Sequence, residues 1–288
     1  MDPSSPLPPS SPPQPLRRPP GLGKSLLLLF IFVGLDAGVN LAISQFAAAT
    51  GRPVDGALTI LVTQAIGWPL ILWAGLTMAG WRWRDCYALK PFAPRILPAL
   101  AVASFGLCIV LVYLSSLIPM PESIKAMFRE ISQGNPILKF IAFVLVAPLA
   151  EELFFRGWML RAFTARYSLR TGVLLTAVVF AAYHLNPWQA VIALPLGLLF
   201  AWLVLRTGSL VPGMIGHAIV NGSANHLLLP LGRLLGHSKL ELETKVPWDM
   251  LWLGIVLAAA GLGVLAWQLR PTHPHSRPEV GSGENGLQ

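Results

Sequence analysis

The sequence predicts an all-α fold: a polytopic transmembrane helical bundle of about eight spans. Three observations predict it. Of 288 residues, 54% are hydrophobic in type and only 12% are charged, about half the charge of an ordinary soluble domain. The charges are also clustered. Asp55 to Arg82, Arg95 to Glu122, Arg170 to Arg206 and Arg206 to Arg233 each enclose at least 26 residues without Asp, Glu, Lys or Arg, and a span needs about 20 apolar residues. Finally, two cysteines, Cys86 and Cys108, cannot staple a chain of this length, which excludes a disulfide scaffold. The same composition excludes a soluble enzyme and a nucleic-acid partner, despite a formal net charge of +8.

Taken in order, residues 1–23 open with nine prolines in the first twenty positions and read as an extended, disordered arm. A transmembrane domain over 24–270 follows, with spans at 25–49, 58–80, 96–118, 136–161, 171–185, 189–205, 210–229 and 249–269. The first apolar run, about 24 residues, exceeds the roughly 7 to 15 of a signal-peptide core and reads as an uncleaved anchor. Between the third and fourth spans, Ile124, Met127, Phe128 and Ile131 recur at helical spacing among Glu122, Lys125, Arg129 and Glu130, predicting an amphipathic helix on the outer surface. The tail 271–288 is rich in Pro, His, Ser and Gly and reads as disordered. Cys86, in a basic loop after Trp81 and Trp83, is a candidate for acylation.

Basic residues orient the bundle. With the N-terminus in the cytoplasm, 14 of the 21 Lys and Arg fall inside, and both termini are cytoplasmic.

Ionisable side chains within a bilayer core cost at least ~2.5 to 3.5 kcal/mol on insertion scales, so each needs a partner or a purpose. Glu151 and Glu152 lie in the fourth span with Arg156 after them, His184 ends the fifth, and His217 and Asn221 lie in the seventh. At ~1.5 Å rise per residue, Glu151 is about 15 Å from Arg161, His184 about 20 Å from Arg170, and His217 and Asn221 about 12 and 18 Å from Ser209. All fall in one layer, which predicts a polar chamber in the cytoplasmic half of the membrane. Glu152 and Arg156, four apart, share a helix face, as do His217 and Asn221. Phe180 stands one turn before His184. Pro148, three residues before Glu151, removes a backbone donor and opens space beside the carboxylate. The bland alternative makes Glu152 and Arg156 a neutral buried pair and the rest interhelical hydrogen-bond glue. Asp36 and Asn40 read as an interhelical polar pair.

Residues 151–156 read Glu-Glu-Leu-Phe-Phe-Arg, 180–184 Phe-Ala-Ala-Tyr-His, and 217–221 His-Ala-Ile-Val-Asn. In that order they resemble the EExxxR, FxxxH and HxxxN motifs of the CAAX protease and bacteriocin-processing (CPBP, or Abi) family of intramembrane proteases, which includes the type II CAAX prenyl endopeptidases. The resemblance covers about 136–229. It implies a membrane-embedded peptidase of the bacterial cytoplasmic membrane that acts on a membrane-associated protein or peptide. Glu151, Glu152, Arg156, His184, His217 and Asn221 stand at the family's functional positions.

Two chemistries fit these residues. In one, without a cofactor, Glu151 accepts a proton from a water oriented by His184, His217 and Asn221 donate to the oxyanion, and Arg156 balances Glu152. In the other, Glu151, His184 and His217 hold a zinc ion, although HExxH is absent. A non-catalytic scaffold or bacteriocin-immunity protein using the same chamber, and a proton-coupled transporter, are the alternatives from other classes.

Overall fold

The computed structural model describes residues 18–237 and 245–270. The Pro-rich arm through residue 17 and the tail from 271, for which disorder is expected, lie outside the described residues. Among the described residues the regular structure is entirely helical.

Helices α1 (Leu22–Thr50) and α2 (Gly56–Ala79) form a hairpin. The turn suits its residues. Gly51 takes the left-handed conformation that ends α1 (φ 66°), open to glycine without steric cost. The Asp55 carboxylate then caps α2 by accepting from the Ala57 and Leu58 amides. A single turn, α3 (Trp83–Cys86), interrupts the link to α4 (Leu97–Ser116), which follows a 3₁₀ turn at Pro94–Ile96. Next come α5 (Glu122–Gln133), a continuous helix α6 over 136–166, α7 (Leu169–Tyr183), α8 (Pro187–Thr207), a continuous α9 over 211–234, and α10 (Trp248–Gln268).

Each of the eight expected spans coincides with a helix. By length and composition five are long and apolar enough to cross a membrane: α1, α2, α4 with its leading turn, α8 and α10. The shortfall has a physical origin. At 15 residues α7 rises only ~22 Å against a hydrocarbon core of ~30 Å. Both α6 and α9 are broken into α and π stretches, at Phe140–Val146 and Glu152–Met159 in α6 and at Ser223–Leu227 in α9.

Hydrogen bonds tie the loops into two opposite ends. At the end rich in Arg and Lys, Arg166 donates to the Pro19 carbonyl, the Leu210 amide to Ala88 O, Ser209 Oγ to Lys90 O, and Gln268 to Arg95 O. At the other end, the Asn135 amide donates to Asp55, Trp188 Nε1 to Ile118 O, and His237 pairs with Asp249. Successive long helices therefore run antiparallel. Helix α5, which has no fully buried residue, lies at this second end, the α5 end. Close packing of α4 on α10 uses small residues: a Cβ on Gly106 would stand 2.3 Å from Ala258 N, and one on Gly261 2.4 Å from Ala103 N.

Candidate active site

The site is built around a break in α6. Pro148 has no N–H, and the π register there, with the Ala147 amide donating to Ala142 O, would have made Phe143 O its acceptor. Asn221 fills the vacancy, its Nδ2 donating to Phe143 O at 2.9 Å. Thus α9 is pinned to α6 just before the two glutamates. The second π stretch, Glu152–Met159, is buried at every residue, and π insertions recur at functional sites because they re-aim side chains within a helix.

Glu152 is fully buried, and its Oε1 accepts from Arg156 Nη1 at 2.9 Å and His217 Nδ1 at 3.0 Å. A carboxylate only accepts, so His217 carries its proton on Nδ1 and turns Nε2 toward Glu151, whose Oε2 is 3.8 Å away. Aromatic rings wall the cluster. Phe200 stacks on His217 at 5.4 Å, Phe180 meets it edge-on at 5.9 Å, and the Arg156 guanidinium sits 4.1 Å over the Phe180 ring. Gly213 leaves room for the carboxylate: a Cβ there would lie 3.1 Å from Glu152 Oε2.

His184 reaches the same Phe180 ring from the end of α7, at 5.2 Å. Its Nδ1 donates to the Phe180 carbonyl at 2.9 Å, which leaves Nε2 as the working nitrogen. The next residue, Leu185, has φ 56°, a left-handed conformation that costs a branched side chain roughly 1–2 kcal/mol. Asn186 holds this strained turn by donating to the His184 carbonyl and capping α8 through the Gln189 amide.

A cavity of about 480 Å³, within the range of ligand sites, is lined by Phe180, His184, His217 and Asn221 and continues past Trp188, Gln189 and the α5 residues Lys125, Met127, Phe128 and Ile131. The amphipathic α5 has no fully buried residue, as a surface helix should, and it borders this cavity through both apolar Met127, Phe128 and Ile131 and polar Lys125, Arg129 and Ser132. The chamber was expected in the half of the molecule nearer the basic end, yet the void lies between the histidine layer and the α5 end. At the basic end that space is filled by the 87–90 loop bonded to residues 209 and 210 and by Trp158, which is fully buried and donates to Gly75 O.

All six expected residues thus lie on the three helices that meet here, but their partners differ. Glu152 pairs with Arg156, as the spacing predicts, and holds His217 as well. Asn221 donates to Phe143 O and also lines the cavity. Among the described residues, no three His, Cys, Asp or Glu side chains converge as a metal site, so Glu151, His184 and His217 do not fit zinc in this arrangement. Asp36 pairs with Asn40 within α1, not across helices. Cys86 is buried, and burial pushes its thiol up to about 12, which makes it a poor nucleophile for acylation. Sequence reasoning missed Phe200, Gly213 and the Phe143 carbonyl. Only the last left a signal, in Pro148.

Residues 133–223, which hold all three motifs, match the family model described as Type II CAAX prenyl endopeptidase Rce1-like. Over this stretch the chain resembles the CAAX protease family. An Escherichia coli protein described as "Uncharacterized 24.3 kDa protein" is 29% identical over 130 residues, covering 43% of this chain and 58% of that protein. The match therefore spans less than two thirds of the relative's length. No solved structure matches the chain. The family match and five helices long and apolar enough to cross a membrane together point to a multi-pass membrane protein.

Proposed function

We propose that the chain is an intramembrane endopeptidase that hydrolyses a peptide bond of a membrane-associated protein or peptide. The observation that carries this reading is the 3.8 Å approach of Glu151 Oε2 to His217 Nε2 behind the wall of a cavity that also presents His184. A water about 2.8 Å from each of two atoms at that spacing completes a triangle of ordinary hydrogen bonds. Glu151 takes one proton as the water oxygen attacks the carbonyl carbon, His217 Nε2 accepts from the water's other O–H, and His184, which lines the cavity, stands on the substrate side. The C–N bond then breaks and Glu151 returns the proton to the leaving amine. Glu152 and Arg156 act on the water only through His217, which they position, and Asn221 positions α9 against α6. Among the described residues, Glu151 Oε2, Glu152 Oε2 and Arg156 Nε and Nη2 are buried with no hydrogen-bond partner. Such stranded polar atoms support chemistry rather than packing as the cluster's purpose.

On this reading α6, α7 and α9 cross the membrane with the five longer helices, giving eight spans. The irregular backbone of α6 and α9 is tolerated because it lines a cavity. No step passes through a metal. Membrane proteomes and released peptides from cells carrying the wild-type chain and Glu151→Gln test the assignment. Peptides present only with the wild type are expected. Identical peptide profiles would eliminate the peptidase, and wild-type complementation by Glu151→Gln would favour a scaffold.

A further inference from the structure

We propose that the chamber opens on the extracytoplasmic face of the membrane, so that its substrate is a protein segment presented at the outer surface. The word substrate rests on the peptidase reading above; the direction of the opening does not. Two independent observations meet here. First, the cavity's lining comes from the ends of helices gathered at the α5 end: Ser115 of α4, Ser132 of α5, Lys139 of α6, His184 of α7, Gln189 of α8 and Met250 of α10. Among the described residues, none at the basic end lines it. At that end the 87–90 loop and residues 209 and 210 close the bundle through the Ala88 and Lys90 carbonyls.

Second, the two ends differ in basic residues within short loops, the quantity that sets orientation during insertion. Among the described residues the closed end carries eleven basic residues: Arg18, Lys24, Arg82, Arg84, Lys90, Arg95, Arg161, Arg166, Arg170, Arg206 and Arg270. The open end carries six, Arg52, Lys125, Arg129, Lys139, Arg233 and Lys245, with Lys239 a seventh in the sequence of the α9–α10 connection, and Arg129 and Lys125 are paired there with Glu122. The closed end is therefore cytoplasmic. A scissile bond in the cytoplasm would face the packed side of the bundle, whereas one emerging on the outer side reaches the histidines past α5 and the start of α8.

The test places single added cysteines in the full chain and labels right-side-out vesicles with a membrane-impermeant maleimide. Gln189→Cys and Gln133→Cys report on the open end, and Arg84→Cys on the closed end; all three positions are exposed. Native Cys86 and Cys108 are buried, so the parent chain sets the background. The two open-end cysteines are expected to react in sealed vesicles as fully as after detergent, while Arg84→Cys reacts only after detergent. The reverse pattern, or protection of both open-end positions until detergent is added, overturns the proposal. The same labels placed on Glu151→Gln separate the two ideas: unchanged labelling with unchanged peptide profiles removes the peptidase and leaves the orientation. Wild-type-specific peptides are expected in the external fraction, and their confinement to the cytosol would overturn the outer-surface substrate.

Discussion

Replacing Glu152 by Gln changes one oxygen into an NH2 group and leaves the side chain's shape intact, so its consequences are electrostatic. In the wild type Glu152 Oε1 is 2.9 Å from Arg156 Nη1 and 3.0 Å from His217 Nδ1, and the side chains of Glu152 and Arg156 are both fully buried. Gln keeps an acceptor but not the charge. The guanidinium, enclosed by Phe180 and Phe200, loses its hydrogen-bonded counter-charge and keeps only the weaker attraction of Glu151, and breaking a buried pair in this way costs about 3–5 kcal/mol. At roughly 2–4 °C per kcal/mol for a chain of this size, the melting midpoint of purified Glu152→Gln in detergent is expected to fall by about 6–20 °C. A companion double variant, Glu152→Leu with Arg156→Met, removes both charges and is expected to regain most of that loss, because apolar replacements of a buried pair are often neutral or stabilising. It stays inactive, since His217 has lost its anchor. A Glu152→Gln midpoint equal to the wild type's would refute the buried pair, and an active double variant would refute the positioning role given to Glu152.

Three other outcomes follow from the same geometry. Gly213→Ala places a Cβ 3.1 Å from Glu152 Oε2, and because two donors fix that carboxylate the strain of about 1–3 kcal/mol is expected to lower both the melting midpoint and the cleavage rate; a variant equal to wild type in both would show the carboxylate to be movable. Asp55 has its carboxyl held below the usual range, chiefly by the Asn135 amide that donates to it, so its contribution is complete above the unfolded carboxyl value of about 3.9 and is lost as pH falls through the lower folded value; the stability gap between wild type and Asp55→Asn is expected to shrink only below about pH 4, and a gap independent of acidification contradicts the hydrogen bonds drawn at the α2 and α6 starts. Because Glu151, His184 and His217 do not converge as ligands, cleavage by purified protein is expected to survive a strong chelator, and its abolition with recovery on adding zinc would restore the metal chemistry.

Much of this architecture was legible because a bilayer makes long demands on a sequence. Runs of 26 or more residues without a formal charge located helices to within a few positions at most boundaries. The four-residue spacing of Glu152 and Arg156 was likewise enough to pair them, since helix geometry alone puts i and i+4 on one face. What escaped was whatever a partner helix decides. The Phe143 carbonyl is released by Pro148, which the sequence displays, but its new donor, Asn221, is 78 residues away. Asn221 thus read as a group aimed at substrate when its amide closes a gap in the backbone ladder. Phe200 is one apolar residue in an apolar span. Nothing in its sequence context distinguishes the ring that stacks on His217 from one that faces lipid.

The direction of the chamber shows the same limit in sharper form. Counting residues along each helix from the basic end places Glu151, His184 and His217 at similar depth, and the structure brings these helices together at that level. Depth along an axis, however, has no sign with respect to empty space. Whether the void lies above or below the layer depends on which ends splay and which are sealed. Here the sealing comes from Trp158 reaching Gly75 O and Ser209 reaching Lys90 O, contacts between segments 83 and 119 residues apart. On the other side α7 stops at His184, well short of a full span, so the turn through Leu185 carries the imidazole to the edge of an opening that a longer helix would have filled. The shortness of α7, an obstacle to counting it as a span, is what gives His184 access to the cavity.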